Sequence, residues 1–354
     1  MSLTGFFLTF GGMNARYQFH YSLLFLALLL LFAAALFLGS VSLPFAKIWQ
    51  ALGAPGAGTE ESIIVWAFRL PKACTALLAG AALSVCGLQM QTLFRNPLAD
   101  PYVLGISSGA GLGVACFVIG FSAGSFALGT PLLTNIGIAA AAWIGALLVS
   151  FLVMAAAQRL RNTMSLLILG IMIGSVGGAL ISLFQYFSSA SALKVYVLWT
   201  LGSFSGVSGA RLLILAVLVV LGIALAIYNI KDLNVLLMGE AYARSLGLCL
   251  PAVRNRVFIS TALLAGGVTA FCGPIGFIGI AVPHLARMLF KNANHRILLP
   301  ATALLGAATM LLADLIAQLP GSQQTLPINT VTALLGVPII ILIIFKANKN
   351  DFAI

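Results

Sequence analysis

Charged residues are scarce in this sequence, and their scarcity limits what the protein can be. Asp, Glu, Lys and Arg make up only 7% of the 354 residues, against roughly 25% in an ordinary soluble domain. Hydrophobic residues make up 61%, and the mean hydropathy is +1.12. No soluble core needs that much apolar surface, so the composition excludes a soluble globular protein and indicates a membrane protein.

Motifs that carry enzyme chemistry are also missing. No Lys follows a Gly anywhere in the chain, so the phosphate-binding loop G-x-x-x-x-G-K-[ST] and its route to ATP hydrolysis are absent. Neither G-x-S-x-G nor H-E-x-x-H occurs. The cysteines lack C-x-x-C spacing, and His20, His284 and His295 are too scattered for a zinc site. We therefore predict a non-catalytic chain with no metal ion and no cofactor of its own.

Long apolar stretches predict an all-α membrane protein with about ten transmembrane helices. Stretches of about 18 to 25 mostly apolar residues can cross a hydrocarbon layer about 30 Å thick as helices. The predicted spans are residues 21–42, 72–93, 103–122, 132–156, 164–187, 212–230, 256–273, 275–290, 298–318 and 328–346.

The distribution of Lys and Arg predicts that both termini are cytoplasmic. Positively charged loops stay preferentially inside, and this orientation puts 13 of the 18 basic residues in the cytoplasm. The net charge of +11 therefore reflects topology rather than a nucleic-acid surface. We predict a cytoplasmic segment at 1–20, a transmembrane domain at 21–346 and a cytoplasmic tail at 347–354, with the true start at Met1 or Met13.

One stretch of sequence occurs twice. Residues 75–87 read TALLAGAALSVCG and residues 261–273 read TALLAGGVTAFCG, with identity at eight of thirteen positions. The second copy lies five spans after the first, so the two are expected to run in opposite directions. This indicates an inverted repeat of spans 2–5 and 7–10, which is common in transporters. Chance similarity between Ala- and Leu-rich helices is the alternative.

The longest polar interruption on the predicted cytoplasmic side is the loop 231–256. Glu240 precedes Arg244 by four residues, an orientation that favours a helical ion pair. Gly247 and Pro251 suit the end of a helix. We predict a short surface helix that docks a partner, and a solvated connector is the alternative.

Two segments rich in Gly and Pro break the helical pattern at corresponding places in the two halves. Such breaks indicate a transport pathway, although helix packing also accounts for single glycines in a membrane. The candidate residues are Asn96, Pro97, Asp100, Pro101, Gly105, Ser107, Ser108, Gly273, Pro274, Gly276, Gly279, Pro283 and His284.

A carboxylate within a span is costly, and this makes Asp314 a further candidate. A structural role is favoured, with Asp314 hydrogen-bonded near the outer end of span nine. His284 is likewise favoured as a residue packed at a helix end rather than as a haem ligand.

Six motifs occur in order between about residue 20 and residue 346: Arg69-Leu70-Pro71-Lys72, RNPLADPYVLGISSGA, MGEAYARSLGL, GPIGFIGIAVPHLAR, HRILLPATALLGAATMLLAD and LPINTVTALLGVP. Together they resemble the permease family of ATP-binding-cassette (ABC) importers for iron–siderophore complexes, haem and cobalamin. The resemblance implies a ten-helix subunit that forms a homodimer, or a heterodimer with a paralogous permease. It also implies two cytoplasmic ATPase subunits, which bind ATP and Mg²⁺, and an extracytoplasmic substrate-binding protein.

The resemblance also assigns roles to residues. The family's coupling helix, which seats in a groove of the ATPase, corresponds to Gly239, Glu240, Ala241, Arg244, Ser245, Leu246 and Gly247. Its R-x-P-R segment, which docks the binding protein, corresponds to Arg69 and Lys72, where Lys keeps the charge but loses the fork of Arg. Contacts that some relatives make at the positions of Gln318 and Thr325 are not carried over.

We therefore expect the permease subunit of an ATP-driven importer in the cytoplasmic (inner) membrane. Ferric siderophore is the first choice of cargo, and cobalamin and haem are the alternatives. An ion-coupled secondary transporter is the alternative from another class, and a receptor or scaffold is the third. The scarcity of acidic residues within the spans argues against ion coupling.

Overall fold

The computed structural model describes residues 15–39, 41–56, 58–123, 131–160, 163–318 and 325–347. Parts of the predicted terminal segments, residues 1–14 and 348–354, lie outside this set. Besides a short 3-10 helix at Pro101–Leu104, the described residues form fourteen longer helical elements: α1 Ala15–Phe37, α2 Phe45–Gly53, α3 Glu60–Phe94, α4 Ile106–Ala123, α5 Pro131–Arg159, α6 Thr163–Tyr186, α7 Ala190–Thr200, α8 Ala210–Tyr228, α9 Ile230–Leu236, α10 Glu240–Ser245, α11 Leu250–Cys272, α12 Ile278–Phe290, α13 His295–Ala317 and α14 Ile328–Ala347.

Each of the ten predicted spans coincides with one of these helices. Within the described residues, seven helices are long and apolar enough to cross a membrane, and α4, α12 and α14 contain the three shorter apolar segments. Several boundaries differ from the predictions. α1 already begins at Ala15, α3 at Glu60 and α11 at Leu250. The predicted boundary at residue 20 and the predicted start of span seven at 256 therefore fall inside helices.

α3 and α13 form one of the two most extensive helix pairs, and they run antiparallel. A Cβ at Gly80 would overlap the carbonyl oxygen of Gly306, so the two backbones touch where side chains are absent. One turn further along α3, Ser84 Oγ donates to the carbonyl of Thr302 at 3.0 Å. The pair is closed by Lys72 with Asp314 at one end and Thr92 with His295 at the other. Contacts therefore join α3 and α13 along most of their length.

The repeated sequence lies in α3 and α11, and these helices run in opposite directions. Gln89, near the end of α3, donates to Ser260 in the early part of α11 at 2.9 Å. α11 ends on the other side of the molecule, where the carbonyl of Cys272 accepts from the backbone N–H of Ser203. The orientation predicted for an inverted repeat is therefore the one observed.

The shared Cys-Gly ending has a packing reason in both copies. A Cβ at Gly87 would overlap the carbonyl oxygen of Gly279, and a Cβ at Gly273 would overlap that of Trp199. Both positions therefore need glycine because another backbone passes too close. Beyond the Cys-Gly pair the two copies differ. α3 continues to Phe94, whereas α11 stops before Gly273, which has φ +77°.

Much of the apolar surface faces outward. Less than a third of the apolar windows of α1, α5, α6 and α8 is buried inside this chain. A helix that is apolar all round is stable only when its outer face meets lipid or another protein. These four helices supply the lipid-facing or subunit-facing surface of the molecule.

Candidate functional site

The predicted docking loop contains a compact helical element. α9 ends at Leu236, α10 runs from Glu240 to Ser245, and α11 begins at Leu250. Glu240 in the first turn and Arg244 in the last turn of α10 have the charges that the helix dipole favours. The loop is therefore shorter than predicted, because its last residues belong to α11.

Glycines shape both ends of α10. Gly239, before the helix, has φ +106° and packs beside Arg95, whose Nη1 would lie 3.4 Å from a Cβ there. After the helix, Gly247 has φ +82° and donates to the carbonyl of Arg244 at 2.9 Å, and Leu248 donates to that of Ala243 at 3.0 Å. This pair of bonds is the Schellman ending, which needs a left-handed residue at Gly247.

Glu240 lies between two arginines. Its Oε2 is 3.7 Å from Nη2 of Arg244, as the spacing predicts, and its Oε1 is 3.0 Å from Nη2 of Arg254. Arg254 is buried, and its Nη1 donates to the carbonyl of Leu160, just beyond α5, at 3.2 Å. The guanidinium of Arg254 therefore joins α10, α11 and the end of α5. The sequence gives no signal for this contact, because Arg254 lies fourteen residues from Glu240 on a different helix.

The outer face of α10 and its flanks is apolar and uncovered within this chain. Met238, Tyr242 and Leu246 are 69%, 49% and 60% exposed, while Ala243 faces inward and is fully buried. Ala241 and Ser245 are exposed beside them. We call Met238, Tyr242 and Leu246 the α10 surface. Large apolar side chains grouped on a helix outside the spans are typical of a protein-binding surface.

α9, which leads into α10, is anchored to the α3–α13 pair. Asn234 Oδ1 accepts from the backbone N–H of His295 at 2.8 Å, and its Nδ2 donates to Asn294 at 2.9 Å. The His295 ring is buried, and its Nε2 lies 2.8 Å from Thr92 Oγ1. The helix that leads into α10 is therefore hydrogen-bonded to the start of α13, and His295 links that point to α3.

Replacing Gly247 with Val should loosen α10. No atom lies within 4 Å of the position of a Cβ there, so the cost comes from the left-handed backbone alone and is about 1 to 2 kcal/mol. We expect faster amide hydrogen exchange across residues 240–248, measured by mass spectrometry. Gly247→Asn is the matched control, since Asn tolerates this conformation. Equal exchange in the Val variant and the wild type would show that the turn does not hold α10.

Arg69 lies at the opposite end of the molecule and is used internally. It is buried, and its guanidinium donates to the carbonyls of Leu36 at 2.7 Å, Phe37 at 3.0 Å and Val41 at 2.6 Å. Arg69 therefore satisfies the last carbonyls of α1, which lack partners within that helix. This contact was not anticipated from the sequence. A docking role for Arg69 stays a prediction, and it would have to coexist with these bonds.

Lys72 and Asp314 form an ion pair near Arg69, in which Asp314 is buried and Lys72 is partly buried. Lys72 Nζ is 3.0 Å from Asp314 Oδ1, and Gln318 Nε2 donates to Asp314 Oδ2 at 2.8 Å. Asp314 is only 3% exposed. Asp314 is hydrogen-bonded, as its expected structural role requires, and the choice between that role and one in transport stays a prediction. Gln318, one turn further along, supplies a neutral partner to the same carboxylate. Docking by Lys72 also stays a prediction.

The two broken segments, residues 95–105 and 273–279, contact each other. Asp100 and Pro101 lie against Gly279, where a Cβ would be 3.1 to 3.2 Å from their atoms. The hydroxyl of Tyr102 accepts from the backbone N–H of Ile275 at 3.2 Å. His284 Nε2 lies 2.9 Å from the carbonyl oxygen of Pro97. The two segments therefore pack against each other, and Asp100, Pro101, Ile275 and Gly279 are buried at their junction.

Some of the remaining pathway candidates lie where the two broken segments meet, and others lie in neighbouring helices. Gly276 donates to Asn329 at 3.1 Å, and Ser108 packs against Gly174 and Gly177 of α6. Pro283 lies inside α12, which continues on both sides of it. Asp100, Pro101, Gly105, Gly273 and Gly279 are buried. A lining role for any of these residues stays a prediction.

Comparison with known proteins decides the family. The FecCD transport family matches residues 26–346. The chain belongs to this family. The FecCD match covers all six motifs that carried the resemblance, so the ABC importer permease expected from them is confirmed as the family of this chain.

Individual relatives agree with the FecCD match. The vitamin B12 import system permease protein BtuC of Salmonella typhi is 37% identical over 342 residues, which cover 97% of this chain and all of the relative. The BtuC protein of Escherichia coli O127:H6 is 38% identical over 287 residues, or 81% of this chain and 85% of the relative. A solved metal-chelate type ABC transporter in an inward-facing conformation has a TM-score of 0.79 and 30% identity, and covers 93% of this chain and 99% of that chain. This FecCD protein is therefore a multi-pass ABC importer permease of the inner membrane.

Proposed function

We propose that this FecCD protein is the permease subunit of an ATP-driven importer whose cargo is cobalamin. The first expectation, ferric siderophore, has less support than this alternative, because the relatives of 37% to 38% identity are named as vitamin B12 permeases. The metal-chelate type transporter of the solved neighbour has a related kind of cargo. Ferric siderophore and haem are the competing cargoes.

The main support for an ATP-driven mechanism is the α10 surface. It is exposed, apolar and held at fixed points by Gly247, Arg254 and Asn234. An element that transmits force must be attached rigidly to its own subunit and must offer a face to the partner. α10 meets both conditions, which a solvated connector does not need. We therefore propose that it contacts an ATPase subunit that binds ATP and Mg²⁺.

The proposed assembly contains two copies of this chain. Two cytoplasmic ATPase subunits and one extracytoplasmic binding protein complete it. The largely exposed helix α6 offers apolar surface for the second copy, and a heterodimer with a paralogous permease is the alternative. Both termini of the chain are proposed to be cytoplasmic. No described contact favours an ion-coupled transporter over this assembly.

Cargo is tested with the cognate binding protein. Purified binding protein should be titrated calorimetrically with cyanocobalamin, a ferric hydroxamate and haem, and then mixed with the reconstituted permease. Submicromolar binding of cyanocobalamin alone, with delivery to the permease, is the expected result. If the binding protein binds the ferric hydroxamate tightly and does not bind cobalamin, the proposed cargo is wrong and a ferric siderophore is the cargo. That result would not affect the assignment of the chain as an importer permease.

The contacts of Glu240 predict a graded effect of mutation. The Arg244→Ala variant loses only an exposed pair worth about 0.3 to 0.5 kcal/mol. The Glu240→Ala/Arg244→Ala variant also deprives buried Arg254 of its carboxylate. We expect the double variant to insert and dimerise but to lose ATPase assembly or transport-coupled hydrolysis, whereas Arg244→Ala keeps most of both. Wild-type ATPase pull-down and uptake in the double variant would show that the loop is only a connector.

A further inference from the structure

Helix α2 connects α1 to α3 and presents three different flanks. Ile48 and Ala51 are buried against Val65 of α3. Lys47 is paired with Glu61 at 2.6 Å. Trp49 is 66% exposed and lies about 160° around the helix from Lys47, because successive residues are about 100° apart. The charged flank of α2 therefore lies opposite its aromatic flank.

The aromatic flank continues the outer surface of α1. The ring of Phe37, the last residue of α1, stacks on Phe45 at 4.7 Å, and Phe45 stacks on Trp49 at 6.5 Å. We call these three residues the aromatic ladder. α1 itself is mostly uncovered, with Leu26 and Leu30 more than half exposed. The ladder therefore extends the apolar face of a membrane-spanning helix onto a helix that does not span.

We propose that α2 is an interfacial helix whose aromatic ladder inserts among the lipid headgroups, with Lys47 and Glu61 facing water. Tryptophan and its aromatic neighbours favour this zone because an apolar ring and a polar edge are satisfied together there. α2 is also held rigidly, since Trp66 Nε1 donates to the carbonyl of Ala51 at 2.9 Å. A soluble partner on the ladder is the competing occupant. Continuity with α1 favours lipid, because α1 is long and apolar enough to cross a membrane and less than a third of its apolar window is buried in this chain.

Fluorescence quenching in vesicles tests this proposal. The full chain and its Trp49→Phe variant are reconstituted into vesicles of phosphatidylethanolamine and phosphatidylglycerol. The vesicles also contain a brominated phosphatidylcholine, with the bromine either high on the acyl chain, near the headgroup, or near the end of the chain. The difference between the two proteins isolates the emission of Trp49. We expect lipid brominated high on the chain to reduce that emission at least roughly twofold, deeper bromine to reduce it less, and aqueous iodide to have little effect.

A matched control uses a neighbouring position of the same helix, outside the aromatic ladder. Gln50 is exposed and lies about 100° from Trp49 toward the charged flank. In the Trp49→Phe background, Gln50→Trp should be quenched by iodide and not by brominated lipid. The proposal is overturned if iodide quenches Trp49 as strongly as the Gln50→Trp probe. It is also overturned if lipid fails to quench Trp49 while the cognate binding protein shields it from iodide.

Discussion

The Tyr242→Ala/Leu246→Ala variant should lose ATP-driven transport while remaining folded in the membrane. Both side chains are about half exposed or more in this chain, so truncation removes little internal packing. At a protein interface, truncating a central aromatic or aliphatic anchor costs about 2 kcal/mol or more, which corresponds to a roughly 30-fold loss of affinity per residue. We expect ATPase association, measured by pull-down and by biolayer interferometry on nanodiscs, to fall at least roughly a hundredfold.

The control for this variant removes equal apolar surface elsewhere. Leu213 and Leu221 of α8 are 66% and 53% exposed on the membrane-spanning part of the chain. The Leu213→Ala/Leu221→Ala variant should bind the ATPase as the wild type does. If both double variants retain full ATPase binding, the α10 surface is not the contact. If both lose it, the loss reflects general instability.

Asp314→Leu should be the most destabilising single change of those considered. It leaves the ammonium group of Lys72, whose side chain is only 18% exposed, without its carboxylate partner. Breaking a buried ion pair from one side costs about 3 to 5 kcal/mol, because a charge then stays in a poorly solvated place. We expect the free energy of unfolding, measured by denaturation in mixed micelles, to fall by that amount.

A variant that lacks both charges distinguishes the effect of an unpaired charge on stability from the effect of changed packing. In the Lys72→Met/Asp314→Leu variant no charge is left unpaired, so most of the stability should return. The two substitutions are therefore expected to be strongly non-additive. If Asp314→Leu alone is as stable as the wild type, the pair does not stabilise the α3–α13 contact. Equal losses in the single and double variants would assign the effect to packing.

The spans were predictable because each needs a long apolar run, which the sequence shows directly. Helices α2 and α7 were missed because their nine and eleven residues are too few to cross the hydrocarbon layer. The early start of α3 has a local signal in the sequence. Thr59 precedes Glu60, and its Oγ1 accepts from the backbone N–H of Ser62 at 3.3 Å, which is typical of a helix start.

Long-range contacts could not be predicted from the sequence, and the reason is physical. The partner of Asp314 is Lys72, 242 residues earlier, and the pairing depends on the register of α3 against α13. That register is set by the contact of Gly80 with Gly306, which no single-sequence pattern reveals. Arg254 was missed for a similar reason, since its Glu240 partner lies on a different helix. The i,i+4 pair of Glu240 with Arg244 was predictable because both lie on one helix.

Uptake into proteoliposomes tests the central claim most directly. The vesicles should contain this chain with its cognate ATPase. Binding protein loaded with radiolabelled cyanocobalamin is added on one side of the membrane and ATP on the other side, and uptake of the label is followed. We predict uptake that requires ATP, ATPase and binding protein together, persists after proton and sodium gradients are collapsed, and disappears in the Tyr242→Ala/Leu246→Ala variant. Uptake by this chain alone, driven by an ion gradient and indifferent to ATP, would contradict the account.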